Sequence, residues 1–215
     1  MKTILLATTA VIALTAGGVA GGVTRPTMTV HGMAVDPMKV PAGTLYNQNS
    51  SANGGAVCSQ NFTSGSFSSI YNCAGADDFI LASPATMIAV DASGVFYNGS
   101  GPAKGARAVL YTGGKVPKAM LATANSTSPG PNVTVGLKHK LKAGKHYWIS
   151  VVVNCSYTGG CGQWAWETRH PANFDPAVWE DPGSGGKCST WKPLRKCVSS
   201  GDFRGDDFLF DIRGK

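Results

Sequence analysis

Two aspartate doublets, Asp77–Asp78 in GADDF and Asp206–Asp207 in GDDFLF, carry the residue types best suited to acid–base or cation chemistry. A glycoside hydrolase needs two carboxyl groups facing one bond, roughly 5–5.5 Å or 6.5–9.5 Å apart. Neighbours on a strand leave opposite faces, so neither doublet supplies that pair alone, and a catalytic pair has to form across strands. Two other readings stand beside the hydrolase. Each doublet can begin a strand, one Asp closing a turn and Phe79 or Phe208 entering the core; this is the expected arrangement. Alternatively Asp77, Asp78, Asp206 and Asp207, with Asp91, Asp202 and Asp211 available, contribute to a structural calcium site, which takes roughly six to eight oxygens. No EF-hand spacing is present, and calcium is the one cofactor the sequence suggests.

The second group is aromatic. In CGQWAWETR, Trp164 and Trp166 share a face if the run is a strand. Small Ala165 suits a crowded interior, which would turn the indoles outward; the reverse assignment sends both to the core, where aromatic side chains dominate. Trp179, in the proline-broken stretch HPANFDPAVWEDPGSGGK, and Trp191, in CSTW, follow closely. The four indoles therefore make either a partly covered ligand platform or a hydrophobic cluster beneath a loop.

Other chemistry is poorly represented. GxSxG and HExxH are absent, SGGK at 184–187 lacks the companion motifs of SxxK enzymes, and the four histidines are scattered. No nucleophile follows from this. Lys138, Lys140 and Lys142 alternate in LKHKLKAGKHYW. Such a stripe can meet a polyanion or guard an exposed strand edge; without interleaved aromatics the edge role is the expected one, and a nucleic-acid partner is not. Arg204–Gly205–Asp206 matches an adhesion tripeptide only by its letters. Six N-x-[ST] sequons, at Asn49, Asn61, Asn98, Asn125, Asn132 and Asn154, read as Asn/Ser/Thr-rich loops.

The elements that must position these groups are short strands. Runs rich in β-formers recur near Met28–Val35, Gly55–Phe62, Ala76–Leu81, Thr86–Tyr97, Ala106–Thr112, Ala119–Ala124, Asn132–Leu137, His146–Asn154, Gly162–Thr168 and Asp207–Ile212. Gly, Pro, Asn or Ser separates them, and no stretch keeps a helical apolar period for three turns. The pattern predicts an all-β, antiparallel sandwich or jelly roll with long Pro/Gly-rich loops. Long ordered loops tend to be functional, and 170–187 is the longest here.

Residues 1–20, MKTILLATTAVIALTAGGVA, have the lysine, apolar run and small-residue exit of a secretory signal peptide, with cleavage expected near Ala20. A single exported domain over 21–215 is expected, secreted to the periplasm or beyond, with no membrane-spanning segment. All six cysteines lie in that part, and an even count in an oxidising compartment reads as disulfides. Fifteen connectivities are possible; the local ones, Cys58–Cys73, Cys155–Cys161 and Cys188–Cys197, each bracket a short loop and are expected. Charged residues are only 14% of the chain, with a formal net charge of +7.

TLYNQNSSANGGAVCSQNF, GADDF, FYNGSGPA, AGKHYWISV, GQWAWETR and CSTW, in that order, resemble blocks of a family of secreted bacterial β-rich modules. The resemblance covers about Leu45 to Phe210. It implies an extracellular β-sandwich, found alone or joined to other surface modules, and carries over no catalytic residue. Cys58/Cys73 and Cys155/Cys161 are less typical of that family than Cys188/Cys197. The sequence thus points to a non-catalytic module binding a glycan or cell-envelope polymer. A structural envelope protein and a hydrolase with cross-strand aspartates are the alternatives.

Overall fold

The computed structural model describes residues 28–31, 39–64, 67–68, 70–127, 130–183, 188–198 and 206–215. The expected signal peptide, Asp202, Arg204–Gly205 and SGGK lie outside them. In chain order the elements are β1 (Thr29–His31), β2 (Thr44–Asn47), β3 (Ala52–Cys58), β4 (Gln60–Phe62), β5 (Ala74–Ile80), β6 (Ala85–Ala92), β7 (Gly94–Tyr97), β8 (Gly105–Gly113) and β9 (Pro117–Ser126). Then come β10 (Val133–Leu141), β11 (His146–Cys155), β12 (Gln163–Arg169), β13 (Val178–Glu180), β14 (Lys192–Pro193), α1 (Leu194–Cys197), β15 (Asp207–Phe208) and β16 (Phe210–Gly214). Each expected run overlaps a strand. Among the described residues no helix is long and apolar enough to cross a membrane.

The strands form a sandwich. One layer is a seven-stranded sheet in the order β14-β13-β5-β11-β8-β9, with β4 beside β11. Its ladders are antiparallel except β11–β4, which is parallel; β4 follows β3 of the other layer after Ser59 alone. The other layer joins a five-stranded sheet (β1-β3-β12-β15, with β7 on β12) to a four-stranded one (β10-β6-β16-β2). These two are continuous because β6–β7 bends at Ser93 and β15–β16 bends at Leu209. Ser93 N donates to Leu209 O at 3.1 Å, Glu167 N to Ser93 O at 3.0 Å, and Leu209 N to Glu167 O at 2.9 Å.

Alternation fills the space between the layers. From β11, Tyr147, Ile149, Val151 and Val153 point inward, to meet Val90, Leu137 and Ile212 of the four-stranded sheet and Val57 of the five-stranded one. Trp164 and Trp166 point the same way and are fully buried. They do share a face, but it is the core face, so neither belongs to a ligand platform. Small Ala165 does not mark the inner side, because both faces of β12 are covered and all seven of its residues are buried. Trp166 stacks on Phe208 with ring centroids 4.5 Å apart, and its indole N–H donates to Leu209 O at 2.8 Å. Trp164 donates to Pro131 O at 2.7 Å. Gly94 is needed opposite it, since a Cβ there would stand 2.2 Å from the Trp164 ring.

The expected long loop is divided by β13, which pairs with the end of β5, Val178 opposite Ala76. Pairing turns Trp179 inward, where it donates to Cys58 O at 2.7 Å. Trp179 is therefore also a core residue and not a ligand contact. The three disulfides are the local ones, Cys58–Cys73, Cys155–Cys161 and Cys188–Cys197. Lys138 and Lys140 of the lysine stripe lie exposed on β10, the outermost strand of the four-stranded sheet, between buried Leu137 and Leu141, and Lys142 follows the strand's end. That is the placement expected of an edge guard.

Candidate functional site

The outer face of the seven-stranded sheet carries the polar groups that the core excludes. Trp148, Ser150, Val152 and Asn154 of β11 alternate away from the core. The register sets Arg107 of β8 beside Val152 and Tyr111 beside Trp148, then Asn125 of β9 beside Arg107. On the other flank Asn61 of β4 lies beside Asn154, and Glu180 of β13 beside Ala74. Two zones follow along this face, and a third lies at its end, where β5 meets β15 of the other layer.

At one end is a groove of about 510 Å³ whose polar lining includes Asn61, Asn72, Arg107, Asn125, Asn154 and Glu180. A second cavity of about 530 Å³, with Lys104 and Thr127 in its wall, shares Asn125 and Asn154 with it. Asn61 Nδ2 donates to Asn154 Oδ1 at 3.0 Å, and Asn72 Oδ1 accepts from Phe62 N at 2.9 Å, so three amides are pre-oriented. Burial raises the Glu180 carboxyl above its usual range.

The middle is aromatic. Trp148 is fully buried beneath the β8–β9 hairpin, its indole N–H donating to Gly114 O at 3.0 Å. Tyr111, Val116 and Trp191 pack around it, and Tyr111 meets Trp191 edge to face at 6.4 Å. Burial raises the Tyr111 phenol, Arg107 pulls it down and Glu180 pushes it up. Tyr111 thus stands within electrostatic reach of two groove residues. Of the four tryptophans proposed as ligand contacts, Trp191 is the one that keeps accessible surface, beside Tyr111 in this middle zone.

The third zone is acidic. The structure brings Asp77, Asp78 and Asp207 together and separates Asp206 from them. Asp77 faces inward and accepts from Gln48 Nε2 at 2.7 Å and Phe208 N at 2.6 Å. Burial, and next the Asp207 charge, raise its carboxyl well above the usual range. Asp207 accepts from Asn173 N at 2.7 Å and lies 3.6 Å from Arg169 Nη1. Burial lifts it to about 7 against the lowering effect of the Asn173 amide. Asp206, on the opposite face of the strand, pairs with Arg195 and His170. It accordingly falls outside the cation set expected from sequence. Asp91 and Asp211 are engaged elsewhere, the first by Arg213 and Thr134, the second by Asn47 and Asn49.

Residues 170–177 lie over these carboxylates. Asn173 and Asp175 donate their backbone N–H groups to Asp207 and Asp78, Asn173 Nδ2 donates to Gln48 Oε1 at 2.7 Å, and Phe174 stacks on Tyr46 at 6.2 Å. Burial raises the Tyr46 phenol, and the three aspartates raise it further. Asp77, Asp78 and Asp207 are each fully buried, so they can hold a proton or a cation but do not line an open cleft.

Sequence reasoning missed the groove. Asn61, Asn125 and Asn154 stood out only as sequons, and the alternation of β11, with Asn154 out of phase with the apolar residues, was the available signal. Comparison with known proteins gave no match to a protein-family model and none to a curated protein.

Proposed function

We propose that the chain is a non-catalytic module that binds a glycan or cell-envelope polymer outside the cell, and that the ligand lies in the amide-lined groove on the outer face of the seven-stranded sheet. The carrying observation is the convergence of Asn61, Asn72, Asn125 and Asn154 with Arg107 and Glu180 around one cavity. A sugar hydroxyl both donates and accepts, and each amide side chain offers an acceptor oxygen and two donors. Binding pockets characteristically pair a few placed polar groups with apolar walls; Ala74, Val152 and Pro182 supply the apolar wall here. The shared residues of the two cavities suit an extended ligand rather than a single ring, and Lys104 and Arg107 suit one with acidic substituents.

Burial of Asp77, Asp78 and Asp207 beneath 170–177 favours binding over hydrolysis. Export, and membership of a family of extracellular β-sandwich modules, belong to the same proposal. Retention on insoluble cell-wall polysaccharide tests it. Arg107→Ala and Asn125→Ala, both at exposed positions, should each weaken retention at least tenfold with unchanged melting. Retention indifferent to both substitutions overturns the assignment of the groove.

A further inference from the structure

We propose that Asp78, His146 and Asp175 form a site for a divalent first-row transition cation such as Zn²⁺, which fastens the 170–177 segment to the end of the seven-stranded sheet. A carboxylate oxygen from each aspartate and one imidazole nitrogen lie within 4.8 Å of one another. Two elements and one connecting segment supply them: β5 gives Asp78, β11 gives His146, two residues along from Trp148, which is Asp78's partner in the ladder, and Asp175 arrives from the covering segment.

A second observation points to a ligand. Asp78 Oδ1 belongs to a side chain only 1% exposed, yet among the described residues it has no hydrogen-bond partner. Its sister oxygen meets the His146 imidazole and accepts from Asp175 N at 3.1 Å, so the unpartnered oxygen belongs to the same carboxyl group that touches both other residues. A buried acceptor without a donor costs roughly 1–3 kcal/mol, and a cation would satisfy it. The imidazole is held in place by Trp148, on which it stacks at 5.6 Å.

The donor set selects the ion. Two carboxylates balance the charge of a dication, and an imidazole with oxygen donors suits Zn²⁺ or its neighbours, whereas Ca²⁺ takes oxygen alone. Three protein ligands leave a fourth position for water. This site differs from the calcium arrangement expected from sequence in using His146 and Asp175 and in omitting Asp206.

The test is titration of the chelator-treated full chain with Zn²⁺ by calorimetry, with melting followed in parallel. One ion per chain should bind and raise the melting temperature, and Co²⁺ in its place should give d–d absorption. Asp175→Asn, at a side chain 37% exposed, should weaken Zn²⁺ at least tenfold while leaving the melting of the metal-free chain unchanged. His146→Gln should likewise weaken Zn²⁺ and abolish the Co²⁺ bands. Absence of stoichiometric Zn²⁺ binding, affinity unaltered by Asp175→Asn, or stabilisation by Ca²⁺ in preference to Zn²⁺ would each overturn the site.

Discussion

Trp166 shows what one side chain contributes to this fold. It fills the gap between layers, stacks on Phe208 and spends its N–H on Leu209 O. Phe208 in turn lies so close to Gly75 of the facing sheet that a Cβ there would be 2.6 Å from its ring. Trp166→Ala removes the ring from a place its neighbours cannot close, and should destabilise the chain by about 3–5 kcal/mol in denaturant titration; a change under ~1 kcal/mol would contradict a core position. The shared face of Trp164 and Trp166 was readable from the two-residue spacing. Which face it was could not be read, because β12 is covered on both sides and the inference from Ala165 presumed a half-exposed strand. Asp77–Asp78 and Asp206–Asp207 behave as the alternation rule requires, each splitting between faces. That Asp77, Asp78 and Asp207 then gather under one segment depends on the docking of β15 against β5, which no local pattern encodes.

At the scale of elements, the seam between the five- and four-stranded sheets is the notable joint. It was legible in part: Thr86–Tyr97 and Asp207–Ile212 each read as one strand, and each proves to be two with a bend between. The bends meet at Glu167, whose backbone bonds both Ser93 and Leu209 while its side chain is 3% exposed. Burial raises that carboxyl to about 7. Unfolding returns it to roughly 4.3, so the folded state binds the proton more tightly. The resulting stability is full below about pH 4 and is lost as pH rises through about 7. Glu167→Gln should therefore raise the melting temperature at pH 8, change it little at pH 4, and flatten the slope between. An unaltered slope would assign the pH dependence to other groups. β2, β13 and β14 escaped the sequence reading because they are two to four residues long, and β13 is flanked by prolines. Such strands form only because a neighbouring edge accepts them.

For the whole molecule, the two layers divide the labour. One is bent and packed on the core; the other turns an outer face to a groove, a capped aromatic cluster and a covered acidic end. The all-β class and the local disulfides were legible because turn residues and cysteine spacing act over short range. The groove was not, because it is assembled from β4, β8, β9, β11 and β13, and their order in the sheet follows from pairing rather than from chain order. The glycan is proposed to lie in this groove. The most direct measurement is a nuclear magnetic resonance titration of the isotope-labelled chain with soluble fragments of the retained polysaccharide, following side-chain amide and indole N–H signals. Shifts are expected at the side-chain amides of Asn61, Asn72, Asn125 and Asn154, with the Trp164 and Trp166 indoles unmoved. Saturable shifts confined to other surfaces, with these four side chains silent, would contradict it.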